Sequence, residues 1–150
     1  MLGVEGFEVS LQLIGPAKMR QLNKQFRGRD RSTDVLSFPQ QSWKKPLRVV
    51  KTTKKNTKAK NPSDQSLGDI VISLADAQSN AKRIGQPLDR EFAFLLIHGM
   101  LHLCGHDHHE PTEERLMREQ QRQLLAGLNQ TKFGKKPVWH GMVRQARIYS

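Results

Sequence analysis

The stretch Arg90-Glu-Phe-Ala-Phe-Leu-Leu-Ile-His98-Gly-Met-Leu-His102-Leu-Cys-Gly105-His106-Asp107-His108-His109 packs five of the chain's six histidines in and behind an apolar run. From Asp89 to Leu103 the side chains are apolar nearly all round, which predicts a helix buried in the core. On such a helix His98 and His102 lie four residues apart, so they project from one face, where two imidazoles can grip one ion. Gly105 can end the helix in a left-handed conformation, after which the chain folds back and brings a third histidine to the ion. A central, rigid element therefore carries the candidate site.

His106, His108 and His109 all lie past the turn. The pattern His98-x3-His102-x2-Gly105-x2-His108 has the spacing of metzincin proteases, and that spacing selects His108 as the third ligand. His106 and His109 then read as solvated residues or as an outer layer around the site. Three nitrogen ligands with an open fourth position suit a catalytic zinc, whereas a structural zinc closes with four protein ligands, mostly cysteines. Cys104 is the sole cysteine, so a closed cysteine site is excluded. A zincin protease also needs a glutamate directly after its first histidine, and here that position is Gly99, which cannot move a proton. Gly99 instead lets another element or a substrate approach the helix, at roughly 1 kcal/mol in helix propensity.

Upstream, residues 7–14 alternate apolar and polar and predict a strand with one buried face. Gly15-Pro16 breaks it and starts a helix over 16–26, with Met19, Leu22 and Phe26 at helical spacing. Arg27-Gly-Arg-Asp-Arg-Ser-Thr-Asp34 reads as a charged loop and Val35–Phe38 as a second strand, ended by Pro39. Residues 67–73 form a third, central strand, because Ile70, Val71 and Ile72 are apolar on both faces. Helices are expected over 74–84, ending at Gly85, and over 111–125 with Leu116, Met117, Leu124 and Leu125 as the apolar stripe. Residues 40–66 carry Lys44, Lys45, Arg48, Lys51, Lys54, Lys55, Lys58 and Lys60 with few apolar partners, and are expected to form a mobile basic loop. The expected organisation is one domain over 1–127, with a basic tail of unassigned structure over 128–150.

A formal charge of +11 and a pI near 10.2 favour an anionic partner, nucleic acid foremost, since clustered lysine and arginine displace counterions from a phosphate backbone. One cysteine leaves no intramolecular disulfide and suits a reducing compartment. No segment approaches the roughly 20 apolar residues needed to cross a bilayer, so a soluble, cytoplasmic protein without a membrane partner is expected.

Three segments together resemble one family. His98-Gly-Met-Leu-His-Leu-Cys-Gly-His-Asp-His108 resembles the H-G-x-L-H-L-x-G-[YF]-D-H signature of the YbeY endoribonucleases, the ribosomal RNA maturation factors. Arg27-Gly-Arg-Asp-Arg-Ser-Thr-Asp-Val-Leu-Ser-Phe-Pro39 is similar to that family's R-x-x-D-x-P-T-D-V-L-S-F-P segment, and Leu67-Gly-Asp-Ile70 to its L-G-D-I strand. Ser32 stands where the family usually has proline, and His106 where it usually has an aromatic. The resemblance implies an α+β fold: a small mixed β-sheet packed by helices, with the central buried helix carrying two of the zinc ligands. It implies one Zn2+ per chain on His98, His102 and His108, and a functional arginine at Arg27. It further implies a single-strand-specific zinc endoribonuclease that matures the 3' end of 16S rRNA and acts in late ribosome quality control, with single-stranded RNA, ribosomal RNA and the ribosome as partners.

A metal there can activate a water, or polarise a phosphate oxygen while the ribose 2'-hydroxyl attacks, and the residues leave both routes open. Arg27 can stabilise the charge that grows on the phosphate oxygens; its bland alternative is a surface arginine tying the loop to Asp30 or Asp34. Asp107 reads either as the acceptor for a ligand imidazole's second ring proton or as a turn residue. The competing function is a ribosome-binding assembly factor whose zinc only stabilises it.

Overall fold

The computed structural model describes residues 7–47, 66–130 and 146–148, whose elements run β1 (Glu8–Ile14), α1 (Pro16–Arg27), β2 (Val35–Pro39), β3 (Ser66–Ser73), α2 (Leu74–Ile84), α3 (Leu88–Leu103), α4 (Pro111–Gln130) and β4 (Ala146–Ile148). The strands form one mixed sheet in the order β2-β3-β1-β4, with β1 parallel to β3 and β4, and β2 antiparallel to β3. This is the α+β arrangement that the resemblance implies.

Alternation along the strands decides which helix covers which face. Val9, Leu11 and Leu13 of β1 and Ile70 and Ile72 of β3 join Ala77 of α2 and Leu95, Leu96 and Leu103 of α3 in one core. The opposite face, built from Ile14, Leu36, Val71 and Phe38, is covered by Met19 and Leu22 of α1. The sheet is thus held between α1 on one side and α2 with α3 on the other. β3 is apolar on both faces because both are buried, as its sequence predicts.

Gly68 lets β3 do this. The register against β1 slips between Glu8 and Val9, so that Leu67 is an extra residue on β3. This bulge turns Leu67 into the same core as Ile70 and Ile72, where strict alternation would have put it with Val71. Gly68 has φ 133°, and a Cβ there would lie 2.1 Å from the Phe38 carbonyl oxygen, so only glycine fits.

Gly99 makes the second close approach, and the partner is the sheet. A Cβ at Gly99 would meet Ile70 Cγ2 at 3.0 Å and Ser37 Oγ at 3.1 Å. α3 therefore lies directly on β2 and β3, and the first metal-binding candidate, His98, is carried beside that contact. The loop after α1 is tied down by its own polar groups. Asn23 Nδ2 donates to Arg31 O at 2.8 Å, Asn80 Nδ2 donates to Asp34 Oδ2 at 2.9 Å, and the Ser32 hydroxyl donates to Asp76 Oδ2 at 2.6 Å. Ser32, in the place of the family's proline, thus anchors the loop to α2 by a hydrogen bond.

Two expectations change. Part of the 40–66 segment is packed: Trp43 donates its indole N–H to Leu103 O at 2.8 Å and sits on the core, while Leu47 N donates to Cys104 O at 3.0 Å. The lysine run masks these two apolar anchors, whose partners lie far along the chain. Residues 48–65 of the expected mobile loop lie outside the described residues, as do Phe133 and Trp139. Beyond Gly127, α4 continues to Gln130, and residues 146–148 add a strand beside β1.

Candidate metal centre

α3 ends as its sequence predicts, but the cap is shared between two residues. Cys104 N donates to Met100 O at 3.0 Å, and Gly105, at φ 86°, turns the chain so that His106 N reaches Leu101 O at 3.0 Å. Trp43 closes over this turn, where a Cβ on Gly105 would lie 3.0 Å from Trp43 Cδ1. The left-handed turn and the tryptophan lid both require glycine.

The turn brings His108 back beside His98 and His102. Suitable ring nitrogens of the three histidines lie within 4.8 Å of one another, and the His102 and His98 Nε2 atoms are 3.1 Å apart. Tetrahedral zinc with bonds of 2.0–2.1 Å separates two ligand nitrogens by about 3.3 Å, so the pair on α3 already has the spacing of a ligand pair. His98 and His102 are half-buried, whereas the His108 side chain is 53% exposed and leaves the site open toward solvent.

The partners of the other ring nitrogens decide what the Nε2 atoms offer. His102 Nδ1 is 2.9 Å from the His106 carbonyl oxygen, and His98 Nδ1 is 3.5 Å from Gln121 Oε1. Both partners are acceptors, which favours the proton on each Nδ1 and leaves the Nε2 lone pairs to face the ion site. The orientation of the Gln121 amide follows from its nitrogen, which donates to Phe94 O at 3.2 Å. Two lone pairs facing each other at 3.1 Å repel unless a cation lies between them, and this donor set fits a divalent ion. Burial pushes both imidazoles below the usual histidine range, His102 to about 4, and the neighbouring histidines act in the same direction. The rings are therefore neutral near pH 7, the form a metal requires.

The remaining residues of the cluster separate by their partners. His106 is buried at 3% exposure, so its ring is not solvated, and with its carbonyl against His102 Nδ1 it belongs to the outer layer around the site; its Nε2 lies 2.5 Å from the Leu47 carbonyl oxygen. The segment ending at Leu47 covers it, which the local sequence around His106 does not reveal. His109 is 79% exposed and stacks on His108. Asp107 is a turn residue: its Oδ1 accepts the His108 backbone N–H at 2.7 Å, while the His108 Nδ1 lies 3.7 Å away. Cys104 is wholly buried, and burial pushes its thiol up to about 12, so it is a packing residue.

Arg27 is the last residue of α1, exposed, on the face of the sheet opposite α3. Among the described residues its side chain forms no ion pair. The bland alternative for it does not hold, because Asp30 is paired with Arg20 at 2.8 Å and Lys24 at 3.2 Å, and Asp34 is taken by Asn80 and the Val35 N–H. Asp69 accepts from Gln40 at 3.2 Å and does not pair with the Arg27 loop. Gln121 was not anticipated from the sequence. Its signal was present as a pair of glutamines, Gln120 and Gln121, lying buried within the apolar stripe of α4.

Comparison with known proteins gives a consistent set of relatives. The family model described as endoribonuclease YbeY matches residues 2–129. The endoribonuclease YbeY of Carboxydothermus hydrogenoformans is 41% identical over 120 residues, covering 80% of this chain and 71% of that protein. The endoribonuclease YbeY of Thermoanaerobacter sp. (strain X514) is 37% identical over 126 residues, covering 84% of this chain and 77% of that protein. The solution structure of TM1509 from Thermotoga maritima is similar with a TM-score of 0.52 at 26% identity, covering 89% of this chain and 82% of that one.

Proposed function

This chain belongs to the YbeY endoribonuclease family, and from that membership and its histidine centre we propose that it is a zinc-dependent endoribonuclease acting on single-stranded RNA. Its substrate is ribosomal RNA: the enzyme matures the 3' end of 16S rRNA in the cytoplasm and takes part in late ribosome quality control. Residues 1–127 form the hydrolase domain, to which residues 146–148 add an edge strand, and the basic side chains of the 40–66 segment and the 128–150 tail attract RNA.

The observation that carries this reading is the approach of the His98 and His102 Nε2 atoms to 3.1 Å, beside a third, exposed histidine. His98, His102 and His108 would hold one zinc ion per chain, and among the described residues no fourth protein ligand closes the site. The bound ion would supply Lewis-acid activation of water or of a phosphate oxygen. His106 through its carbonyl and Gln121 through its amide oxygen hold the two α3 imidazoles in the ligating tautomer. Arg27 has no carboxylate partner among the described residues and lies across the sheet from α3, so it would neutralise charge on the phosphate oxygens by reaching an RNA strand that rounds the β2 edge of the sheet. Gly99 cannot serve as a base and is occupied in packing α3 on the sheet, which sets the centre apart from a peptidase.

The test compares wild type, His98→Ala and Arg27→Ala on single-stranded RNA, with zinc content measured in each. The expected result is loss of zinc and cleavage in His98→Ala, and full zinc with cleavage slowed about a hundredfold or more in Arg27→Ala. A wild-type protein with full zinc that cuts no RNA would instead support the ribosome-docking alternative.

A further inference from the structure

The centre is one end of a longer feature. On α3, Arg90, Phe94, His98 and His102 recur at intervals of four and so form one stripe. α4 faces it across a groove of about 650 Å³, with Arg118 and Arg122 on the far wall and His98 and His108 at the metal end. Phe94 is 40% exposed although it sits on the core helix, and its ring lies 17° from parallel with the His98 imidazole at 6.2 Å between centroids. One turn further, Arg90 has no side-chain hydrogen bond or ion pair among the described residues, whereas Arg118 is paired with Glu114 and Arg122 with Glu119. The groove therefore offers an open aromatic face and an uncommitted guanidinium in steps of roughly 6 Å from the metal ligands. Three arginines against one glutamate line it, which suits an anionic occupant.

We propose that this α3–α4 groove is a nucleotide subsite, in which Phe94 stacks on the base of a nucleotide flanking the cleaved bond and Arg90 contacts a phosphate of the same strand. The proposal rests on the ribonuclease reading of the histidine centre. It supplies a physical source for single-strand selectivity: a base inside a duplex is already stacked on both faces and cannot offer one to Phe94, while an unpaired base can. The planar face selects a nucleobase and the arginine a phosphate, a pairing that does not depend on base identity.

The zinc-loaded full chain and its Phe94→Leu, Phe94→Trp and Arg90→Ala variants are compared on one short RNA, single-stranded and as a duplex, with oligonucleotide affinity followed by anisotropy and zinc content measured throughout. Phe94→Leu should raise KM for the single strand on the order of tenfold, with a smaller effect on kcat, and reduce discrimination against the duplex. Phe94→Trp should restore both, and Arg90→Ala should lower the slope of log affinity against log salt by about one. An active wild type whose Phe94→Leu and Arg90→Ala variants keep its KM, affinity and discrimination overturns the subsite and leaves the ribonuclease reading intact. A groove filled by the chain's own C-terminal residues, a second copy or an acidic peptide gives that same unchanged result. Zinc-loaded wild type that cuts nothing overturns the ribonuclease reading, and unchanged oligonucleotide affinity in the variants then removes the subsite as well.

Discussion

Gln121 does for His98 what the His106 carbonyl does for His102, and it does so from a different helix. Its amide nitrogen is held by Phe94 O and its oxygen faces His98 Nδ1, so Gln121→Ala removes the acceptor that fixes the ligand tautomer. Such outer partners typically contribute 10–100-fold in metal affinity. A chelator competition should therefore show zinc affinity lowered by about that factor with the urea midpoint little changed; equal affinities would mean the amide does not orient the ring. The three histidines themselves were legible in the sequence because their arrangement is local, one helical repeat followed by one glycine turn. Gln121 and the burial of His106 were not, since each depends on a segment that meets the site only after the chain has folded. Asp107 was ambiguous for a related reason, because a carboxylate one residue from a ligand histidine can bond either to the ring or to the backbone.

Two glycines, Gly68 and Gly99, set how β3 and α3 fit together, and their replacement should have unequal consequences. At Gly68 an alanine faces a left-handed φ and a backbone oxygen at 2.1 Å, which should cost about 3 kcal/mol or more. At Gly99 the methyl meets the side chains of Ile70 and Ser37 at 3.0–3.1 Å, and a gain of about 1 kcal/mol in helix propensity offsets the crowding. Urea unfolding should place Gly68→Ala well below Gly99→Ala, and the reverse order would contradict the packing described. The helices and the first three strands were legible from periodicity, and α3 most clearly because few residues on it are polar. The bulge at Gly68 left no local signal beyond the glycine itself. β4 is three residues long and exists by pairing with β1, so nothing within it announces a strand. Trp43 and Leu47 were hidden in a lysine-rich run that reads as solvent-exposed.

The charge of +11 is the property of the complete chain that most constrains what it meets, and much of it lies away from the histidines. Deleting residues 48–60 removes Arg48, Lys51, Lys54, Lys55, Lys58 and Lys60 while keeping Trp43 and Leu47, which cover the metal turn. RNA affinity should fall and its salt dependence become shallower, with zinc retained; an unchanged salt slope would show that these cations do not contact RNA. The sheet, the two helix layers and the glycine turn together bring three imidazoles side by side with no fourth candidate ligand among the described residues, and the proposed chemistry depends on that trio holding an ion. Zinc K-edge absorption of the full chain loaded with one equivalent of zinc examines it directly. Three imidazole nitrogens at about 2.0–2.1 Å with one exchangeable oxygen are expected, and His108→Ala should remove one imidazole. A sulfur ligand at about 2.3 Å, or a first shell unaltered by His98→Ala, would contradict the assignment.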